Sequence, residues 1–259
     1  MPFTLAHPAA VLPLRRGILR DCHLSALVIG SVVPDVVYFF SLPVSRAESH
    51  SLAGVFWFCL PVGILLFIAH QLLFKRPALA LLPYGLHARC ATDGSWERGR
   101  LPLVVALMVA IVLGTVTHVA WDSFTHQGGW FVKRSPMLQL VLFHVAGYEL
   151  QVYRLLQHLS SLVGCALLAF WTLRWYRVTE PVEVAPSERL SRPLRLGVLG
   201  TLVVTTVAVG LYNFLAGESD EAWLASLRHR TGALVFSSLP TLSIGFFLYV
   251  LLWPLRPRR

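Results

Sequence analysis

The stretch that decides the fold is "LPLVVALMVAIVLGTVTHVAWDSFTH", residues 101–126. From Leu101 to Val116 it is almost without polar side chains. An α-helix rises about 1.5 Å per residue, so about 20 such residues cross the roughly 30 Å hydrocarbon core of a bilayer. At the end of the run the character changes. His118, Asp122 and His126 follow one another at spacings of four. Residues four apart share a helix face. A membrane-spanning helix therefore ends in a column of imidazole and carboxylate groups.

The rest of the chain fits that reading. Of its 259 residues, 56% are hydrophobic and 14% charged, and the mean hydropathy is +0.64. Soluble domains carry about 25% charged residues, so an integral membrane protein is expected. The formal net charge is +9. Its basic residues lie mostly in short loops between apolar runs, which points to anionic lipid headgroups and membrane orientation and away from nucleic acid. Cys22, Cys59, Cys90 and Cys165 are scattered, with no CxxC pair, so neither a disulfide framework nor a zinc ribbon is expected. The opening "MPFTLAHPAAVLPLRR" carries its charges after the apolar stretch and does not read as a secretory signal.

Five runs are long enough to cross: 52–74, 101–121, 155–175, 195–216 and 232–253. Strand patterning is absent. The expected fold is all-α, a polytopic helical bundle of five to six transmembrane helices forming one membrane domain over 1–259. Lys75, Arg76, Arg89, Arg98, Arg100, Arg174, Arg177, Arg189, Arg192, Arg195, Arg256, Arg258 and Arg259 fall on one side of these spans. Lys133, Arg134, Arg154, Arg228 and Arg230 fall on the other, with Glu218, Asp220 and Glu221 nearby. The positive-inside rule puts the first set, and the C-terminus, in the cytoplasm. His50 and His118–His126 then lie toward the outer face.

Residues 1–48 allow two arrangements. If 22–42 is a sixth span, the N-terminus is cytoplasmic. If 5–20 and 23–33 are two short helices joined near residue 21, they form a hairpin that returns to the outer face. Charge favours the first, through Arg15, Arg16 and Arg20. Chemistry favours the second, because only the hairpin returns His7 and Asp35 to one layer, and the hairpin is the expectation.

Several polar residues collect toward that layer. In "VVPDVVYFF" Asp35 sits in an apolar stretch, where an ionisable group marks a functional site by default; its plainer use is to cap a helix after Pro34. "SHSLAG" places His50 and Ser51 before the first clear span. "TLAHPAA" adds His7. "FHVAGYELQ" adds His144, Tyr148 and Glu149, and "LLQHLSSLVG" adds Gln157, His158, Ser160 and Ser161. Imidazole and carboxylate at helical spacing can chelate a divalent metal.

The stretches "MPFTLAHPAAVLPL", "LVIGSVVPD", "SHSLAG" and "LLQHLSSLVG" resemble a bacterial membrane family, the domain of unknown function 4184 family, over most of the chain. The order His7, Pro34–Asp35, His50–Ser51, His118 and Asp122 is also similar to the LexA-binding, inner-membrane-associated hydrolases. Those show an early His, a Pro-Asp after an apolar helix, a His-Ser opening a span and an HxxxD ending the next. That family adds a second Asp after Pro-Asp and an Arg-Gly before His-Ser. Here Val36–Val37 and Arg46–Ala47–Glu48 stand instead, which leaves His126 or Glu48 to replace a ligand. The layout is similar, more distantly, to zinc-dependent phospholipases C; His144 and Glu149 miss their HxxxE spacing by one residue.

These resemblances imply a metal-dependent hydrolase. One or two divalent ions, zinc by this donor set, would be held by Asp35, His50, His118 and Asp122, with His7 as a fifth ligand. His126, His144, Gln157, His158 and Arg134 stand as surrounding or substrate contacts. Lys133, Arg134 and Arg154 are the candidates to hold a phosphate. The expected substrate is a lipid or lipid-linked phosphoester at the outer face of a bacterial inner membrane. The alternative is a non-enzymatic membrane protein whose His and Asp residues form a metal clip or a polar packing cluster. A transporter fits less well, since the polar groups gather at one face and no repeat halves are visible.

Overall fold

The computed structural model describes residues 4–16, 24–40, 42–91, 103–145, 148–216 and 223–256. In chain order its helices are α1 (Pro8–Val11), α2 (Leu24–Val32), α3 (Val37–Phe40), α4 (Arg46–Ser49), α5 (Leu52–Gly54), α6 (Leu60–Ala69), α7 (Lys75–Leu81), α8 (Tyr84–Cys90) and α9 (Leu103–Thr125). Then come α10 (Trp130–Arg134), α11 (Pro136–Gln139), α12 (Val152–Val178), α13 (Arg192–Ala216) and α14 (Trp223–Leu252). Single 3-10 turns, Thr4–Ala6 and Pro13–Arg16, flank α1. Among the described residues, five helical stretches are long and apolar enough to cross a membrane: Leu52–Leu81, Val104–Arg134, Val152–Val178, Pro186–Ala216 and Arg230–Leu255. The chain is a helical integral membrane protein, as its composition requires.

Two details depart from the sequence reading. A short antiparallel hairpin pairs Val141–Val145 with Tyr148–Gln151, so the all-α fold carries one pair of strands among the described residues. The second apolar run continues as helix to Thr125 instead of stopping at 121, because the polar column His118–Thr125 remains helical. The described residues within 22–42 form no sixth long span. Leu24–Phe40 is a shorter apolar helix, interrupted by the 3-10 turn Val33–Val36 around Pro34. Proline cannot donate the next helical hydrogen bond, and the turn tightens there. The turn near residue 21, with Arg20 and Cys22, lies outside the described residues, as do Arg98, Arg100, Glu218, Asp220, Glu221, Arg258 and Arg259.

The chain divides into two compact units. One comprises Tyr38–Leu42, His70–Gly94 and Pro181–Arg259. Within it α13 packs along α14, the Tyr249 hydroxyl donates to the Pro77 carbonyl at 3.0 Å, and the Arg195 guanidinium donates to the Leu82 carbonyl at 3.1 Å.

The other unit, Met1–Val37, Pro43–Ala69 and Ser95–Glu180, holds the polar residues of interest. Its core joins Val11, Ala26, Leu27, Phe67, Ala106, Ala110 and Ile111 from α1, α2, α6 and α9. Helix α2 lies against α9 with backbone touching backbone. A Cβ on Gly30 would sit 2.4 Å from the Ile111 carbonyl oxygen, and one on Gly114 would sit 2.4 Å from that of Leu27. Glycine is required on both sides, the close approach that small residues allow between membrane helices. Thr115 ties the contact by donating to the Gly30 carbonyl at 3.1 Å. Helix α1 packs on α2, α9 and α12, so the two short N-terminal segments lie side by side.

Gly114→Leu is expected to force α2 from α9 and lower stability by at least about 1–3 kcal/mol, the scale of overpacking a close-packed core. Gly200→Ala, where a new Cβ meets nothing within 4 Å, is expected to be neutral or slightly stabilising. Thermal unfolding of both variants in detergent checks the contrast.

Candidate metal centre

Three local structures aim side chains at one point. Helix α4 starts with a capping box: the Ser45 hydroxyl accepts from the Glu48 amide while the Glu48 carboxylate accepts from the Ser45 amide. That box fixes the single turn that carries Arg46 and ends at His50. Ser51 then caps α5 by accepting from the Gly54 amide at 2.9 Å. The 3-10 turn at Pro34 turns Asp35 inward, and α9 supplies His118 and Asp122 one turn apart.

One donor atom from each of Asp35, His50, His118 and Asp122 lies within 4.8 Å of all the others. His50 Nε2 is 3.2 Å from His118 Nε2, 3.4 Å from Asp35 Oδ1 and 3.3 Å from Asp122 Oδ2. His118 Nε2 is 3.7 Å from Asp35 Oδ1 and 3.5 Å from Asp122 Oδ2. Four donors about 2.0–2.1 Å from a tetrahedral ion stand roughly 3.3 Å apart. The measured separations bracket that value. The ring orientations suit it too. His118 Nδ1 meets the Ser31 carbonyl at 2.7 Å, and His50 Nδ1 meets that of Arg46 at 3.1 Å. A carbonyl partner fixes the proton on Nδ1 and turns the Nε2 lone pair toward the centre, the usual support of a metal-bound histidine. Two lone pairs and two carboxylate oxygens then face each other, an arrangement that a divalent cation stabilises.

The cluster is enclosed. His118 is fully buried, and Asp35 and Asp122 are 3% and 4% exposed. Thr4 donates to Asp35 Oδ2 at 2.7 Å. Arg46 Nη2 donates to Asp122 Oδ2 at 2.6 Å. His7 stacks on His118 with ring centroids 3.8 Å apart, and its Nε2 is 3.5 Å from Asp122 Oδ1. His126 Nδ1 is 3.3 Å from that same oxygen. Burial, and beside it the His118 imidazole, push His7 down to about 4, so it is neutral at physiological pH. Burial also works against a proton on His50, yet hydrogen bonds with Asp122 and Asp35 hold it above the ordinary histidine value, so a cation taking Nε2 would displace that proton.

The structure thus brings together His7, Asp35, His50, His118, Asp122 and His126. It does not bring His158, which is exposed on α12 beside the buried Gln157. Nor does it bring His144, whose side chain is 72% exposed and faces Glu149 across the strand hairpin at 3.6 Å. Arg134 is engaged elsewhere, stacked 4.2 Å over the Trp130 ring. Glu48 is held in the capping box, which removes it as a replacement ligand. Arg46 and Thr4 were not anticipated. Arg46 had a sequence signal, since it stands four residues before His50; Thr4 had none.

Fold and site together define a helical membrane protein with a buried His/Asp cluster able to hold a metal ion. The chain belongs to the family described as Domain of unknown function (DUF4184), whose model matches residues 1–253. No curated protein and no solved structure matches the chain.

Arg46 supplies the hydrogen bond that balances a buried carboxylate. Arg46→Ala is expected to lower stability of the metal-free protein by about 1–3 kcal/mol, the cost of leaving a buried acceptor unmet. Unfolding measured with chelator present checks this, and an unchanged midpoint would show that Asp122 is balanced without it.

Proposed function

We propose that the chain is a metal-dependent membrane hydrolase in which Asp35, His50, His118 and Asp122 hold a divalent cation, zinc by its donor set. One observation carries the reading: two imidazole nitrogens and two carboxylate oxygens converge from three separate segments at the spacing of a tetrahedral ion. A divalent ion held there would lower the pKa of a nearby water and polarise a phosphoryl or acyl group. The substrate we assign is a lipid or lipid-linked phosphoester. His118 and Asp122 lie on α9, part of an apolar stretch long enough to cross a membrane, which favours a phosphoester carried by a lipid. The phosphate-holding role passes to Arg46, whose side chain is 30% exposed and already directed at Asp122. An arginine fork can hold a phosphoryl oxygen as well as a carboxylate. The distribution of Lys and Arg supports placing the cluster toward the outer face of a bacterial inner membrane, with the C-terminus cytoplasmic.

A second reading has one observation in its favour. Four protein ligands around a tetrahedral ion make a closed site, the form that structural zinc takes. The same residues would then clip three segments together in a protein without enzymatic activity.

Metal analysis and phosphoester hydrolysis on lipid-linked substrates in mixed micelles separate the two. The hydrolase reading expects at least one zinc per chain and a loss of activity of about 100-fold or more in Asp35→Ala, with the fold retained under saturating zinc. Bound metal with no hydrolysis, and an Asp35→Ala effect confined to the melting temperature, would support the clip.

A further inference from the structure

The two oxygens of Asp122 face different partners. Oδ2 looks toward His50, His118 and Arg46. Oδ1 looks toward His7 Nε2 at 3.5 Å and His126 Nδ1 at 3.3 Å. Both Asp122 Oδ1 and His7 Nε2 are buried and make no hydrogen bond. Their residues are 4% and 5% exposed. At 3.5 Å they are too far apart to be a good hydrogen bond, and burying a carboxylate oxygen without a donor is costly. His126 is next to them, 12% exposed, with Nδ1 also 3.3 Å from the Thr125 hydroxyl. That hydroxyl can instead donate to the Trp121 carbonyl at 3.2 Å, so its proton is not committed to Nδ1.

We propose that Asp122 bridges two cations, and that His7 Nε2, His126 Nδ1 and Asp122 Oδ1 form a second divalent-metal site beside the first. This rests on the metal-centre reading above and extends it. The separations of His7 Nε2 and His126 Nδ1 from Asp122 Oδ1, 3.5 and 3.3 Å, match the roughly 3.3 Å between donors of a tetrahedral ion. A carboxylate that uses one oxygen for each ion holds a pair about 3.5–4 Å apart, the spacing of two-metal hydrolytic sites. Stacking of His7 on His118 sets the ring of one site by the ring of the other. The two sites differ in one chemical respect. The first has four protein ligands and is closed. The second has three, which leaves a coordination position for water or substrate, as catalytic sites do. A crevice of about 10 Å³, room for one water, adjoins His7 between Ala6, Ala10, Trp121 and Ser160. The open position that the hydrolase reading needs therefore falls at His7 and His126.

The test is metal stoichiometry of the full chain in detergent, equilibrated with zinc, desalted and measured by mass spectrometry. Two ions per chain are expected for the wild type and one for His7→Gln and for His126→Gln. One ion in the wild type overturns the second site and leaves the first standing. No ion removes both. Two ions in the wild type and in both variants would place the second ion elsewhere and also overturn the proposal. The wild-type protein provides a further measurement that needs no variant. Loaded with two equivalents of cobalt(II), it is expected to show spin coupling between ions sharing Asp122, and two uncoupled ions would count against the bridge.

Discussion

The hydrogen bond from His118 Nδ1 to the Ser31 carbonyl, 2.7 Å long, depends on how closely two helices approach. Ser31 follows Gly30, and His118 follows Gly114 by one turn. Each glycine lies where a Cβ would collide with the opposite backbone. With α2 and α9 in that contact, a main-chain carbonyl of one reaches an imidazole of the other. The same contact brings the turn at Pro34, and with it Asp35, to the polar end of α9. A site assembled from side chains distant in sequence thus inherits its geometry from a backbone contact, which is stiffer than any side-chain packing.

Burial of this cluster sets the second constraint. Ionisable groups inside apolar segments are expensive and have to be paired or to bind ions. Asp35 is met by Thr4 and His50, and Asp122 by Arg46, His50 and His118. These partners offset much of the cost but leave Asp122 Oδ1 and His7 Nε2 without hydrogen bonds. A cation able to sit among these four groups would meet the imidazole nitrogens and the carboxylate oxygens at one point.

Hydropathy made the spans legible, because a run such as 101–116 has no other way to bury its surface. The spacing of four made His118, Asp122 and His126 legible as one column. Asp35 stood out because a carboxylate in "VVPDVVYFF" conflicts with everything around it. His144 and His158 had the same residue type and lay near the same layer, yet neither joined. His144 falls on a strand hairpin that periodicity did not reveal, and His158 sits one position from the buried face of α12 that carries Gln157. A side chain one position off a helix face points about 100° away, and the sequence around 158 is too uniformly apolar to show which face is inward. Arg46 was hidden for another reason: its role follows from the capping box at Ser45, which fixes a single turn too short to show any period.

The central claim is that Asp35, His50, His118 and Asp122 hold a metal through nitrogen and oxygen alone. X-ray absorption at the zinc edge, on the intact protein purified without chelator, reads that coordination directly. The account predicts a shell of nitrogen and oxygen scatterers at about 2.0–2.1 Å, with the outer-shell pattern of at least two imidazoles. A sulfur shell at about 2.3 Å would place the metal on the cysteines and contradict the account, and so would a protein that retains no metal at all.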